Sequence, residues 1–218
     1  MTHAIAFIKM HGLGNDFVVL DARTAPLPVM TPQIARALGD RRTGIGFDQL
    51  VLLEPEDTPE TGCAFRMRIF NSDGSEVETC GNATRAVAQL HGEPVTIATG
   101  GGPVRLEPTP GGARVDMGAP RFDWDAIPLA YPMDTARMPV GWDDLNAPMA
   151  VNVGNPHVIF FVADSDAVPL DSLGPVIEHD PLFPNRVNVN VASLAGPDHL
   201  RLRVWERGAG LTRACGTG

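Results

Sequence analysis

An α+β fold in two pseudo-two-fold-related halves is the architecture that this sequence predicts, and three observations carry it. Short apolar or alternating runs outnumber helical stretches, and 23 glycines and 20 prolines among 218 residues supply the turns between them. One Ala-rich segment, Gly81 to Leu90, is apolar on most sides and reads as a helix buried within its domain. Two stretches of the first half also recur, in the same order, in the second.

Ala4 to Met10 and Phe17 to Asp21 read as strands around the turn His11-Gly12-Leu13-Gly14-Asn15-Asp16. Thr31 as N-cap and Pro32 at the first helical position open a helix through Leu38, which Gly39 closes. Gln49 to Leu53 is a strand, followed by an acidic, Pro-containing turn to Gly62 and a strand from Ala64 to Phe70. His91-Gly92 ends the buried helix. Three short strands follow: Val95 to Ala98, Val104 to Glu107 and Ala113 to Met117. Ala119 to Pro148 has no clean period and reads as a linker with irregular loops. Strands then resume at Val151 to Val153, Val158 to Val162, Val187 to Val191 and Leu200 to Trp205. The expected division lies within Arg121 to Pro128, giving residues 1–124 with Cys80 and 125–218 with Cys215.

The repeat is specific. Gly12-Leu-Gly-Asn-Asp-Phe-Val-Val19 resembles Asn152-Val-Gly-Asn-Pro-His-Val-Ile159. Met67-Arg-Ile-Phe-Asn71 with Cys80-Gly-Asn82 resembles Leu202-Arg-Val-Trp-Glu206 with Cys215-Gly-Thr217, and each aromatic precedes its cysteine by 10 residues. Packed about a pseudo-two-fold axis, such halves would bring the two cysteines face to face across a cleft. Inverting a stereocentre needs a base on one face of a carbon and an acid on the other, and two equivalent thiols supply both.

Composition narrows the partners to small molecules. A net charge of −9 and 6% aromatics argue against nucleic acid. The absence of a ~20-residue apolar run or a leader-like start argues against a membrane and for the cytoplasm. Lys9, in the first predicted strand, is the sole lysine, which leaves a Schiff-base cofactor nowhere else to attach. Cys-x-x-Cys pairs are absent, so no metal site is expected. Cys80 precedes the buried helix, whose positive end lowers a thiol's pKa and whose free N–H groups hold a carboxylate. Cys215-Gly216-Thr217-Gly218 is expected to act likewise. Cys63 has no such setting. A Cys-His hydrolase using His157 remains an alternative, and a Cys80–Cys215 disulfide would be an oxidised, inactive state. Asn15, Asn71, Asn155 and Asn188 in turn or strand-end contexts, with Glu206-Arg207 after a strand, suit an amino-acid substrate: Arg207 for a carboxylate, Glu206 for an ammonium.

The stretches His11 to Phe17, Gly46 to Gln49, Phe70 to Asn82, Gly154 to His157, Arg186 to Asn188, Glu206 to Gly210 and Ala214 to Gly218 together resemble the diaminopimelate epimerases. That resemblance implies two domains, each a curved, mostly antiparallel or mixed sheet around a central helix. It also implies cofactor-free conversion of LL-2,6-diaminopimelate to the meso form, for lysine and cell-wall synthesis. Carried over, Cys80 and Cys215 would be the acid/base pair, and Gly81-Asn82 and Gly216-Thr217 would hold the reacting carboxylate. Glu206 would bind the reacting ammonium. Arg207, Asn71, Asn155 and Asn188 would hold the distal L-amino-acid end, with Asn15 and Gln49 lining the same cleft. His157 and Glu206 would tune the thiols. A homodimer is expected by analogy. Thr79, Ala83, Ala86 and Leu211 depart from the family pattern without removing a named group. Related folds offer runner-up readings, a proline racemase-like or phenazine-isomerase-like enzyme. A non-catalytic binding protein is the reading from another class. Family members continue beyond the second cysteine loop into a helix and further strands, so a molecule ending at Gly218 is expected to be weakly stable and poorly active.

Overall fold

The computed structural model describes residues 4–58, 62–212 and 214–217. Gly218, which closes the second cysteine motif, and part of the acidic turn before Cys63 lie outside them. Contacts divide the chain at Gly118–Ala119, just ahead of the 124/125 division read from the sequence. Arg121 belongs to the second unit because its backbone exchanges two hydrogen bonds with Asn152, at 2.8 and 2.9 Å.

The first unit begins with β1 (Ile8–Gly12) and β2 (Asn15–Asp21), an antiparallel hairpin. Its turn residues Leu13 and Gly14 both have positive φ, 55° and 90°, the backbone of a tight two-residue hairpin. α1 (Pro32–Gly39) starts as predicted, with Thr31 Oγ1 accepting from the Ile34 N–H. β3 (Gln49–Pro55) then pairs in parallel with β2, and β4 (Phe65–Asn71) lies antiparallel to β3. β5 (Glu76–Val77) folds back on β4 and leads to Cys80 and α2 (Gly81–His91). β6 (Val95–Thr99), β7 (Gly102–Thr109) and β8 (Gly112–Asp116) complete a mixed sheet in the order β1-β2-β3-β4-β6-β7-β8.

This sheet is curved around α2, since β1 and β8, at opposite ends of the strand order, both pack against that helix. Strand alternation explains how. Phe17, Val19, Val51, Leu53, Met67 and Ile69 bury against the α2 side, whereas Val18, Leu20, Leu50, Leu52 and Phe70 bury against the α1 side. A sheet buried on both faces reads as continuous apolar runs. α2 is small-faced, with Ala83, Ala86, Val87 and Ala88 buried, and ends at Gly92 in the left-handed region (φ 83°).

The second unit repeats the pairing plan of the first unit's β1 to β5. β11 (Met149–Asn152) and β12 (Pro156–Phe161) form an antiparallel hairpin, and β13 (Asn188–Gly196) is parallel to β12. β14 (His199–Glu206) is antiparallel to β13, and β15 (Gly210–Leu211) folds back on β14 before Cys215. Phe17 pairs with Gln49, and His157 pairs with Asn188, so the registers also correspond.

Two sequence expectations are corrected here. Ala119 to Pro148 is no linker but a wall of the second core: Ile127, Leu129, Met138 and Leu145 are buried there. The short pair β9 (Gly141–Trp142) and β10 (Leu145–Asn146) lies within it. Its apolar side chains stand singly on irregular backbone, so no period marks them. α3 (Leu170–Glu178) was not foreseen. Gly174 and Pro175 interrupt its pattern, yet both sit inside the helix. It occupies the place between β12 and β13 that α1 occupies between β2 and β3.

Candidate active site

Cys80 occupies the N-cap position of α2, with extended backbone (φ −147°, ψ 113°), and is buried. Its thiol donates to Gln49 Oε1 at 3.0 Å; Gln49 Nε2 donates to Asn71 Oδ1 at 3.3 Å, and Asn71 Nδ2 to Ser75 Oγ at 3.2 Å. The chain exists because Gln49 and Asn71 are direct cross-strand partners at the ends of β3 and β4. The start of α2 is close-packed: a Cβ added to Gly12 would lie 3.9 Å from Asn82 Cβ. Gly81 and Asn82, also buried, form its first turn. There the N–H groups and the helix dipole favour negative charge.

Asn15 bonds elsewhere, its Nδ2 donating to Asp48 Oδ2 at 3.1 Å. That carboxylate also accepts from the Asp16 N–H, at 3.0 Å, and Asp16 Oδ1 accepts from the Asp48 N–H, at 3.1 Å. Arg41 pairs with both acids, and Lys9 pairs with Asp16 at 2.7 Å. Burial alone would raise the Asp16 carboxyl, but hydrogen bonds from Arg41 and Lys9 outweigh it and leave it below the usual carboxylate range. This clasp fixes the β1–β2 turn that carries Asn15.

In the second unit, Cys215, Gly216 and Thr217 lie on irregular backbone. Cys215 Sγ is 3.3 Å from Thr217 Oγ1, which is 3.1 Å from His157 Nε2 and 3.3 Å from Asn155 Nδ2. His157 Nε2 is also 3.0 Å from Asn155 Oδ1. Two predicted residues, Asn155 and His157, thus converge on the cysteine loop. Asn188 binds main chain instead, donating to Pro156 O at 2.8 Å and accepting from the Arg207 N–H at 3.0 Å. Arg207 Nη1 donates to Asn185 O at 3.0 Å, and Glu206 Oε1 accepts from Thr212 Oγ1 at 2.6 Å. Burial drives the His157 pKa down to about 4, and the Arg207 charge adds to this. The ring is therefore neutral near pH 7 and works through hydrogen bonds. Beside it, Ile159, Phe161, Asn190, Leu200 and Leu202 surround a hollow of 390 Å³.

Comparison with known proteins decides the family. The diaminopimelate epimerase family model matches residues 7–122 and 149–218. The chain belongs to the diaminopimelate epimerase family. It is 68% identical to a diaminopimelate epimerase of Erythrobacter litoralis, over 98% of this chain and 78% of that one. It is 65% identical to one of Sphingopyxis alaskensis, over 97% and 77%. Among solved structures it resembles a probable proline racemase of Agrobacterium radiobacter (TM-score 0.69, 15% identity, 98% of this chain and 74% of that one). A hydroxyproline epimerase of Agrobacterium vitis is also similar (TM-score 0.62, 14% identity, 97% and 73%). At those identities the likeness concerns the fold, curved mixed sheets with few helices.

Two residues near the family's motifs escaped the sequence reading. Glu178, buried at the end of α3, accepts from Trp205 Nε1 at 2.7 Å and from the Gly208 N–H at 2.9 Å. It thereby braces both sides of Glu206-Arg207. Asn190 bonds His157 directly. The alternation Asn188-Val189-Asn190 was a usable signal for it, because alternate strand residues share a face.

Proposed function

We infer that this chain is a cofactor-independent diaminopimelate epimerase, converting LL-diaminopimelate to the meso form for lysine and cell-wall synthesis. The observation that carries the reading is one thiol in each half at matching positions, Cys80 after β5 and Cys215 after β15. One sulfur, as thiolate, takes the α-proton, and the other, as thiol, delivers a proton to the opposite face of the same carbon. Protons balance: one S–H forms as the other breaks. The carbanion's charge passes into the α-carboxylate, which the N–H groups opening α2 at Gly81 and Asn82 stabilise, with Gly216 and Thr217 as their counterparts. Glu206 holds the reacting ammonium. Arg207, with Asn71, Asn155 and Asn188, holds the distal amino-acid end and demands its L configuration, and Asn15 and Gln49 line the remaining wall. His157 and Glu206 tune the thiols. A cytosolic homodimer completes the proposal, with sedimentation as its check.

The test is turnover of LL-diaminopimelate in heavy water under reductant, read by mass and chiral analysis. One deuterium at one α-carbon with inversion is expected. Cys80→Ala and Cys215→Ala should each lower inversion by at least about a hundredfold, the lower range for loss of a general acid or base. Full inversion by either variant would overturn the two-thiol chemistry.

A further inference from the structure

The second half departs from its own repeat at one buried pair. Where β2 and β3 place Phe17 and Val51 in an apolar core, β12 and β13 place His157 and Asn190 at the corresponding positions. His157 is 1% exposed and Asn190 0%. A buried polar pair in place of apolar packing is costly unless its hydrogen bonds are made. Here one bond is forgone, since Asn190 Oδ1 has no hydrogen-bond partner among the described residues. All the bonding is on the amide nitrogen. Asn190 Nδ2 lies 3.0 Å from His157 Nδ1, 3.1 Å from Val158 O and 3.3 Å from Asn188 O.

The two carbonyls set the amide's rotation, because the reverse would point Oδ1 at both of them. The amide's two hydrogens serve three acceptors, one of them bifurcated, and an Nδ1–H would meet Nδ2 with no lone pair to receive it; His157 Nδ1 therefore carries the lone pair and Nε2 the ring proton. Nε2–H is then shared between Asn155 Oδ1 and Thr217 Oγ1. Among the described residues Thr217 Oγ1 has three contacts, and two of them, Asn155 Nδ2 and His157 Nε2, arrive as donors. Its own proton is left for the third, Cys215 Sγ, at 3.3 Å.

We propose that Asn190 is a positioning residue for the epimerisation: it locks the His157 tautomer, and through His157 it turns the Thr217 hydroxyl proton onto the Cys215 sulfur. A donor aimed at sulfur stabilises the thiolate over the thiol. The inference rests on Cys215 being one of the two acid/base thiols. Asn190 itself touches neither sulfur nor substrate.

Nitrogen-15 NMR of histidine-labelled protein tests the lock without altering it. The His157 ring, assigned by the signal lost in His157→Asn, should be a neutral Nε2–H tautomer at pH 7. An Nδ1–H tautomer or an imidazolium would overturn the proposal. Asn190→Leu, of similar volume, removes the donor to Nδ1 and should release the ring to the Nδ1–H tautomer. The pH midpoint for alkylation of Cys215 should then rise by about one unit, a tenfold change in thiolate fraction, while that of Cys80 stays put. Asn190→Ala should give a smaller shift in the same direction. A folded variant with an unmoved Cys215 midpoint would overturn the proposal. Should inversion instead survive Cys215→Ala, the two-thiol chemistry fails while the tautomer result stands separately.

Discussion

Cys80 donates its proton to Gln49 and Cys215 faces a hydroxyl, so two chemically identical side chains begin from unlike surroundings. Residue-level detail of this kind was only half legible. Types and positions were readable, since a cysteine before a glycine-led helix suggests an activated thiol. The direction of each hydrogen bond was not, because it depends on partners such as Asn190 that come from a different strand. His157 makes this measurable. Its pKa is about 4 in the fold and roughly 6.5 in an unfolded chain. Between those values the unfolded state binds a proton that the native state refuses, so stability is complete above about pH 6.5 and falls as the pH drops towards 4. The slope should approach 1.4 kcal/mol per pH unit for this one group, about 3 kcal/mol across the window. The lowered carboxyls of Asp16, Asp21, Asp40 and Glu56 release their stability as the pH falls below about 5, so the His157 slope is read above that. Urea unfolding from pH 7 to 5 checks it. A flat profile, or one unchanged in His157→Gln, would refute the assignment.

At the level of elements, legibility followed periodicity and capping. α1 was foreseen because Thr31-Pro32 is a cap signal independent of tertiary structure, and α2 because its alanines are apolar all round. α3 was missed because Gly174 and Pro175 argue against a helix locally and are justified only by what lies next to them. A Cβ at Gly174 would fall 2.5 Å from the indole ring of Trp205, so glycine there permits close packing of α3 on β14. Gly174→Ala must therefore displace Trp205, which neighbours Glu206 and hydrogen-bonds Glu178. Overpacking of this sort costs about 1–3 kcal/mol. A lower denaturant midpoint with an unchanged m-value is expected, accompanied by a higher KM for diaminopimelate as the Glu206-Arg207 turn shifts. An alanine variant as stable as the parent would show that α3 can move away freely.

For the molecule as a whole, the two-fold echo was the most informative feature of the sequence. It foretold two halves of one plan, though not their shared order of antiparallel, parallel and antiparallel pairings, and it would have foretold α3 had it been extended through the connection between β12 and β13. What it could not mark was the irregular wall from Ala119 to Pro148, which has no counterpart in the first half. That wall closes a core of its own, with Ile127, Met138, Val158, Phe160, Ile177 and Val189 in one cluster, while the first unit has its separate clusters around α2 and α1. Separate cores imply separate local stabilities. Phe160 is fully buried in the second cluster, and truncating such a residue costs about 3–5 kcal/mol. In Phe160→Ala, amide hydrogen exchange should therefore accelerate across β11 to β14 and α3 while β2, β3, β4 and α2 keep their protection. Equal acceleration in both units would mean that the halves unfold as one cooperative body, and that the repeat is structural without being energetic.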